Sequence, residues 1–320
     1  MLSEIQIDQT ILKRFAALSG KNRLAHAYLF IGPADIGKGE TALAVAKLLL
    51  CEAKEDNLSC EECPSCAKMG AGTHPDVLIV ANAPGESIKI EQMRELMDRM
   101  KLTPLSGMKK IVIIRNTEQF TPDSANVFLK TLEEPSASTL MLLTTSIPEQ
   151  NLDTIRSRCH AVYFQPLTNG ELERRLGECR LKAGDTHFLA HFAQGCPGTA
   201  KRLMDGGVIG YKDEVIEGFV LRRPGEKYIK ETIADKERIK IFLNILFSWM
   251  RDAILVKSGI KDGRLIHLDR FDELSLFARE YSFEQLNDLS ESVVHMHKLL
   301  ADNLNIKLPL LIIGEQLWGK

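Results

Sequence analysis

Tyr28-Leu29-Phe30-Ile31-Gly32-Pro33-Ala34-Asp35-Ile36-Gly37-Lys38-Gly39-Glu40 is the stretch on which the fold turns. A short apolar run enters a glycine-bounded loop, and Ala42, Val45, Ala46, Leu49 and Leu50 then recur at helical spacing. Strand, G-x-x-x-x-G-K loop and helix in that order are the context in which a phosphate-loop motif carries weight. Backbone N–H groups at the helix start suit phosphate oxygens, and a lysine there suits the β and γ oxygens of a nucleotide. The candidate nucleotide-binding residues are therefore Gly32, Gly37 and Lys38. The motif is degenerate. Gly39 stands where a Ser or Thr hydroxyl would hold Mg²⁺, and Glu40 adds negative charge beside it. Two readings stay open: a nucleotide cradle without hydrolysis, or a glycine-rich turn that binds nothing.

Working outward, Val77–Val80, Lys110–Ile114, Leu140–Thr145 and Ala161–Phe164 read as further strands, separated by amphipathic helical patterns. Thr121-Pro122-Asp123 is a helix start, with a capping residue before proline. Ala125, Phe128, Leu129 and Leu132 then share a face, and Pro135 ends the helix. Alternation of this kind predicts an α/β domain on a parallel five-stranded sheet over residues 1–166. After Gln165-Pro166-Leu167 the strand signals stop. Residues 167–210 predict a small helical domain, broken at Gly195-Cys196-Pro197-Gly198, and residues 211–320 a second, all-helical one. In the latter, Ile239, Phe242, Leu243, Leu246, Phe247 and Met250 form one apolar stripe. Phe283, Leu286, Leu289, Val293 and Met296 form another.

The strand over 110–114 offers a second check on the phosphate loop. In nucleotide hydrolases the corresponding strand ends in carboxylates that hold the metal. Here it ends in Arg115-Asn116, a cation and an amide, and Glu118 lies four residues beyond the strand end in a position suited to capping. Two metal-handling positions are missing, which argues against an ATPase site in this chain.

Composition narrows the function further. The chain has 320 residues, 44% hydrophobic and 26% charged, with 41 Lys+Arg against 43 Asp+Glu and a formal net charge of −2. Up to residue 166 there are 18 basic and 20 acidic residues, and 23 of each follow. No half is the basic body of an autonomous nucleic-acid binder. Met1–Thr10 lacks the apolar core of a secretory signal, and no apolar run approaches a membrane span, so a cytoplasmic protein is expected. Seven cysteines are an odd number for a disulfide framework. Four of them follow Cys51-x8-Cys60-x2-Cys63-x2-Cys66, a spacing that suits tetrahedral Zn²⁺ in a structural role. The insertion 51–66 also carries Glu52, Glu55, Asp56, Glu61 and Glu62 against Lys54 alone, a poor surface for DNA. Near the fourth strand's exit, Thr154-Ile155-Arg156-Ser157-Arg158-Cys159 leads into the last strand. Spacing alone favours a surface Arg158 paired with a local acid such as Asp153.

Taken together, His26-Ala27-Tyr28-Leu29-Phe30, the GPADIGK loop, the four-cysteine insertion, Ala125 to Pro135 (ANVFLKTLEEP) and Ser157-Arg158-Cys159 resemble bacterial clamp-loader subunits of the AAA+ class. The likeness covers most of residues 20–205; the C-terminal third matches in size and helical character only. Within that class the departures at Gly39 and Arg115-Asn116 resemble the delta prime type rather than the ATP-hydrolysing gamma/tau type. So does Gly198, where active relatives carry a nucleotide-sensing arginine. The resemblance implies an AAA+ domain, a helical lid and a collar that joins a five-subunit ring. It implies that Arg158 is an arginine finger acting in trans on a neighbouring ATPase subunit, and that Cys51, Cys60, Cys63 and Cys66 hold zinc. It implies partners of gamma/tau and delta type within a DNA polymerase III (nucleotidyltransferase) holoenzyme. The assembly would spend ATP to place a sliding clamp on primer–template DNA, while this chain has no autonomous ATPase activity. The rival readings are an active gamma/tau-like ATPase, a zinc-ribbon nucleic-acid-binding module, and a thiol-redox protein using Cys63-Pro64-Ser65-Cys66.

Overall fold

The computed structural model of the chain describes residues 7–53, 59–83, 86–105, 109–179, 181–222, 226–302 and 304–318. The N-terminal alternation over Met1–Gln6 and the charged residues Lys54, Glu55 and Asp56 lie outside them. The chain divides into two compact units, one of residues 1–166 with 196–199, the other of residues 167–195 with 200–320.

The first unit is built on five parallel strands, β1 (Ala27–Ile31), β2 (Val77–Val80), β3 (Lys110–Ile114), β4 (Thr139–Thr145) and β5 (His160–Tyr163), in the order β2-β3-β4-β1-β5. Each strand expected from the pattern is present, with ends shifted by one residue at most. Helices α1 (Gln9–Gly20), α2 (Lys38–Leu50), α3 (Pro64–Gly70), α4 (Ile90–Lys101), α5 (Pro122–Glu133) and α6 (Asp153–Arg156) surround it. Alternation along the strands sorts the helices. Tyr28, Phe30, Ile111, Ile113, Leu140 and Leu142 face α1 and α2, whereas Ala27, Leu29, Val112, Ile114, Met141 and Leu143 face α4, α5 and α6.

This two-sided arrangement follows from strand order. From β1 the chain crosses outward to the edge strand β2, then steps back through β3 and β4 and past β1 to β5. Right-handed crossovers put connections of opposite direction on opposite faces. β1 is therefore where the winding reverses, and the loop after it opens at the carboxyl edge of the sheet, the usual place for a ligand in such folds.

Local signals hold. Thr121 Oγ1 accepts from Ser124 N at 3.2 Å to cap α5, and Phe128 on its inner face is fully buried, so truncation to alanine would cost about 3–5 kcal/mol. Lys110, buried at the start of β3, donates its ammonium to the carbonyls of Arg99 and Leu102 at the end of α4. That cation closes a helix terminus whose carbonyls have no partners in the helix.

The second unit is helical: α7 (Asn169–Gly177), α8 (Ala183–Phe192), α10 (Val208–Val215), α11 (Glu226–Ala234), α12 (Lys236–Lys257), α13 (Phe271–Glu280), α14 (Phe283–Ala301) and α15 (Lys307–Trp318), with most of α9 (Pro197–Asp205). One apolar core runs from Leu172 to Leu317 and is centred on Phe188, Phe219, Phe242 and Trp249. The break expected at 195–198 falls slightly earlier. Gln194 and Gly195 take left-handed φ of 51° and 73°, and Pro197 then opens α9. The two apolar stripes each lose one member. Phe247 and Phe283 are exposed, the latter at the first turn of α14 beneath the Lys257 ammonium. No helix among the described residues is long and apolar enough to cross a membrane.

Candidate functional site

The loop between β1 and α2 is closed on itself. Gly37 opens α2 in a left-handed conformation with φ 100°, which favours glycine. Gly32 is required for a different reason: a Cβ there would lie 2.7 Å from the Phe164 carbonyl oxygen. Both motif glycines thus have backbone explanations independent of phosphate. Lys38 is 5% exposed, and its ammonium donates to Gly32 O at 2.8 Å, Pro33 O at 2.6 Å and Ser146 Oγ at 3.1 Å. Its three protons are all spent within the chain. Burial lowers its pKa below the ordinary lysine value, against the opposing pull of Glu118 and Asp35.

The two departures from the hydrolase pattern form one arrangement. The Arg115 guanidinium packs over Gly39, where a Cβ would meet its Cζ at 2.8 Å and its Nε at 2.9 Å. It also lies 3.5 Å from Glu40 Oε1. A Ser or Thr at position 39 would require the end of the Arg115 side chain to move aside, so glycine at 39 leaves room for the arginine as it stands. Glu118 caps the loop edge with Oε1, which accepts from Ser146 N at 3.1 Å, while its Oε2 is buried with no hydrogen-bond partner among the described residues. Gly198 N donates to Asp35 O at 2.8 Å, a backbone contact to the loop. Sequence reasoning missed Ser146 as a Lys38 partner. The polar Thr144-Thr145-Ser146 run closing an apolar strand at the loop's edge was the available signal.

At the opposite edge of the sheet sits Arg158. β5 runs parallel to β1 with His160 beside Tyr28, so residue 158 lies near the amino end of β1, whereas the loop follows its carboxyl end. Its guanidinium donates to Thr154 O at 3.0 Å and to Glu133 Oε1 at 2.8 Å. The acidic partner is thus Glu133 at the end of α5, and Asp153 pairs with Arg156 at 3.1 Å. The side chain remains 36% exposed at a cavity of about 710 Å³ lined also by His26, Ser157 and Cys159. Burial pushes the Cys159 thiol up to about 12, so it is a poor nucleophile in that cavity.

The third feature is sulfur. Cys51 ends α2, Cys63 caps α3, and Cys60 and Cys66 complete a group whose Sγ atoms all lie within 4.8 Å of one another. Cys51 Sγ is 3.5 Å from Cys60 Sγ and 4.0 Å from Cys63 Sγ. Four sulfurs at about 2.3 Å from a tetrahedral zinc would stand about 3.8 Å apart, so the group fits that ion. Backbone N–H groups of Cys60, Cys63 and Cys66 point at the sulfurs of Cys51, Cys60 and Cys63 at 3.3–3.4 Å, favouring thiolates. The amide of Cys66 is the main cause of a Cys63 pKa lowered to about 6, and burial pushes Cys66 to about 12. None of the seven cysteines is in a disulfide.

The family model described as "DNA polymerase III, delta subunit" matches residues 7–168, and the one described as "DNA polymerase III, delta subunit, C terminal" matches residues 231–315. DNA polymerase III subunit delta' of Bacillus subtilis is 30% identical, with 90% of this chain and 89% of the relative covered. The protein of that name from Pseudomonas aeruginosa is 34% identical over 79% of this chain and 76% of its own. DNA polymerase III subunit tau of Bacillus subtilis is 28% identical over 59% of this chain and 34% of its own. Coverage by the delta' relatives extends past the sheet into the helical unit, beyond what the tau relative shares. The chain belongs to the DNA polymerase III delta prime family of clamp-loader subunits.

Proposed function

We propose that this chain is the non-hydrolysing stator of its clamp loader and supplies Arg158 in trans to the ATP site of a neighbouring gamma/tau-type subunit. The observation that carries the reading is the separation of Arg158 from the chain's own loop by the length of the sheet. An arginine at the amino edge cannot serve a nucleotide at the carboxyl edge of the same domain. It faces outward, and a planar guanidinium suits bidentate stabilisation of charge on a transferring phosphoryl group. Glu133 holds it extended until a more strongly charged triphosphate competes for it.

The loop supports the stator half of the reading. Lys38 has no proton left for a phosphate unless Gly32, Pro33 or Ser146 releases one, and Arg115 stands over the position of the missing hydroxyl. Cys51, Cys60, Cys63 and Cys66 hold a structural Zn²⁺, which ties the end of α2 to α3 and leaves no coordination position open for chemistry. Within the second unit, residues 167–210 serve as a lid and 211–320 as the collar that joins the ring with gamma/tau-type and delta-type partners. The assembly, not this chain alone, engages the sliding clamp and primer–template DNA. Reconstitution with an ATPase partner tests this: Arg158→Ala should leave assembly intact and lower turnover by about 10³ or more. Unchanged turnover in an intact complex would falsify the assignment, and Mg²⁺-dependent hydrolysis by the purified chain would favour the active-ATPase reading instead.

A further inference from the structure

A second group of metal-ligating side chains lies in the helical unit, remote in sequence from the cysteines. His187 and His191 are one turn apart on α8 and so share a face, and Glu173 on α7 meets them. Glu173 Oε1 lies 2.8 Å from His187 Nδ1 and 3.3 Å from His191 Nε2, and the three ligand atoms fall within 4.8 Å of one another. Three donors at about 2.0–2.1 Å from a tetrahedral zinc would stand about 3.4 Å apart.

The hydrogen bonds behind the rings fix what the front atoms are. His187 Nε2 is 2.7 Å from the Leu265 carbonyl, which only accepts, so Nε2 carries the ring proton. Nδ1 of the neutral ring is then a lone pair aimed at a carboxylate oxygen 2.8 Å away, and two acceptors at that distance repel unless a cation lies between them. On the other ring, Nδ1 lies 3.0 Å from Asn169 Nδ2 and Nε2 faces the same oxygen, so Nε2 is open to a metal once the Asn169 amide turns its oxygen toward Nδ1. Both front nitrogens turn to one point, and behind His187 the Leu265 carbonyl is the kind of outer-shell acceptor that orients a metal-binding histidine.

A divalent ion answers that repulsion and, unlike a proton, draws on His187, His191 and Glu173 together. The nearby cations are already compensated, Arg251 by Asp252 at 2.7 Å and Arg264 by Asp262 at 2.8 Å. The front of the group opens to a cavity of about 660 Å³ lined also by Gly170 and Gly263. We infer that Glu173, His187 and His191 form a second metal site, taking a divalent transition ion such as Zn²⁺ with one position open to water.

The inference does not rest on the clamp-loader reading, and Co²⁺ separates this site from the cysteines. With the full-length apo chain, the first equivalent of Co²⁺ is expected to give intense thiolate-to-metal absorption. A second equivalent should add only the weak visible bands of a nitrogen and oxygen site. His187→Ala/His191→Ala should lose the second equivalent and keep the first, with an unchanged circular dichroism spectrum. Glu173→Gln should weaken or abolish uptake of the second equivalent, since an amide is an uncharged and poorer ligand, while leaving the helices intact. A wild-type chain that takes up one equivalent only, or a second equivalent that survives in the double variant, would overturn the proposal. So would NMR titration showing His187 protonating with a shift unaffected by added Zn²⁺, the behaviour of a plain imidazolium–carboxylate pair.

Discussion

The two edges of one sheet have opposite characters. At the carboxyl edge the loop is inward-looking: Lys38 is buried with three partners from its own chain, and Arg115 fills the space over Gly39. At the amino edge Arg158 is held by one carboxylate and one carbonyl, is over a third exposed, and faces a cavity. The lysine of a phosphate-loop motif here holds a turn together through its three hydrogen bonds. Under the proposed function, the group that meets phosphate is Arg158, which the domain cannot use on its own loop. The difference teaches that a signature motif and a functional group can part company, and that hydrogen-bond partners separate them where residue identity does not.

The contrast can be broken at its tightest point first. Gly39→Ser should destabilise the first unit by up to about 1 kcal/mol, because the Arg115 guanidinium must swing aside and leave its place beside Glu40. Thermal unfolding measures the loss, and a second substitution, Arg115→Ala, should recover most of it. If Gly39→Ser is as stable as wild type, glycine at 39 and arginine at 115 are unrelated. Next in size, Glu133→Gln frees the other edge. The Arg158 pair is partly exposed and worth at most about 1 kcal/mol, so releasing it should raise turnover of the reconstituted complex by no more than about fivefold. A large fall would instead make Glu133 a group that positions the arginine.

The smallest effect concerns pH at the loop. The Lys38 pKa is lowered in the folded state, chiefly by burial. As pH falls through the unfolded lysine value of about 10.4, the unfolded chain takes up its proton first, so stability drops until the lowered folded value is reached and is flat below it. Wild type should therefore gain stability relative to Lys38→Met as pH rises toward about 10.4, seen as a closing or reversing gap in Tm. Parallel Tm profiles for the two proteins would mean that the ammonium is not held in a desolvated state.

Much of this was legible in the residues. Strand alternation, the Thr121-Pro122 start and the cysteine spacing are local signals, and the elements they specify stand where expected. Gly39 and Arg115 were each read as departures, but 76 residues of chain separate them, and only the β1–β3 side of the folded sheet shows that one makes room for the other. The same limit applied to Arg158. Spacing pointed to Asp153, three residues from Arg156 on the same helix, whereas the true partner Glu133 comes from the end of a different helix across a turn of the fold. His187 and His191 stood at helical spacing in plain view, yet their ligand character depends on Glu173 and on the Leu265 carbonyl 78 residues away, which no periodicity encodes.

The central claim is that nucleotide chemistry has left the loop and remains at the arginine. It is tested most directly by ATP turnover in complexes reconstituted with an ATPase partner and carrying, in this chain, either Lys38→Met or Arg158→Ala. The account predicts wild-type turnover with Lys38→Met and a fall of about 10³ or more with Arg158→Ala. A fall with Lys38→Met and none with Arg158→Ala would contradict it.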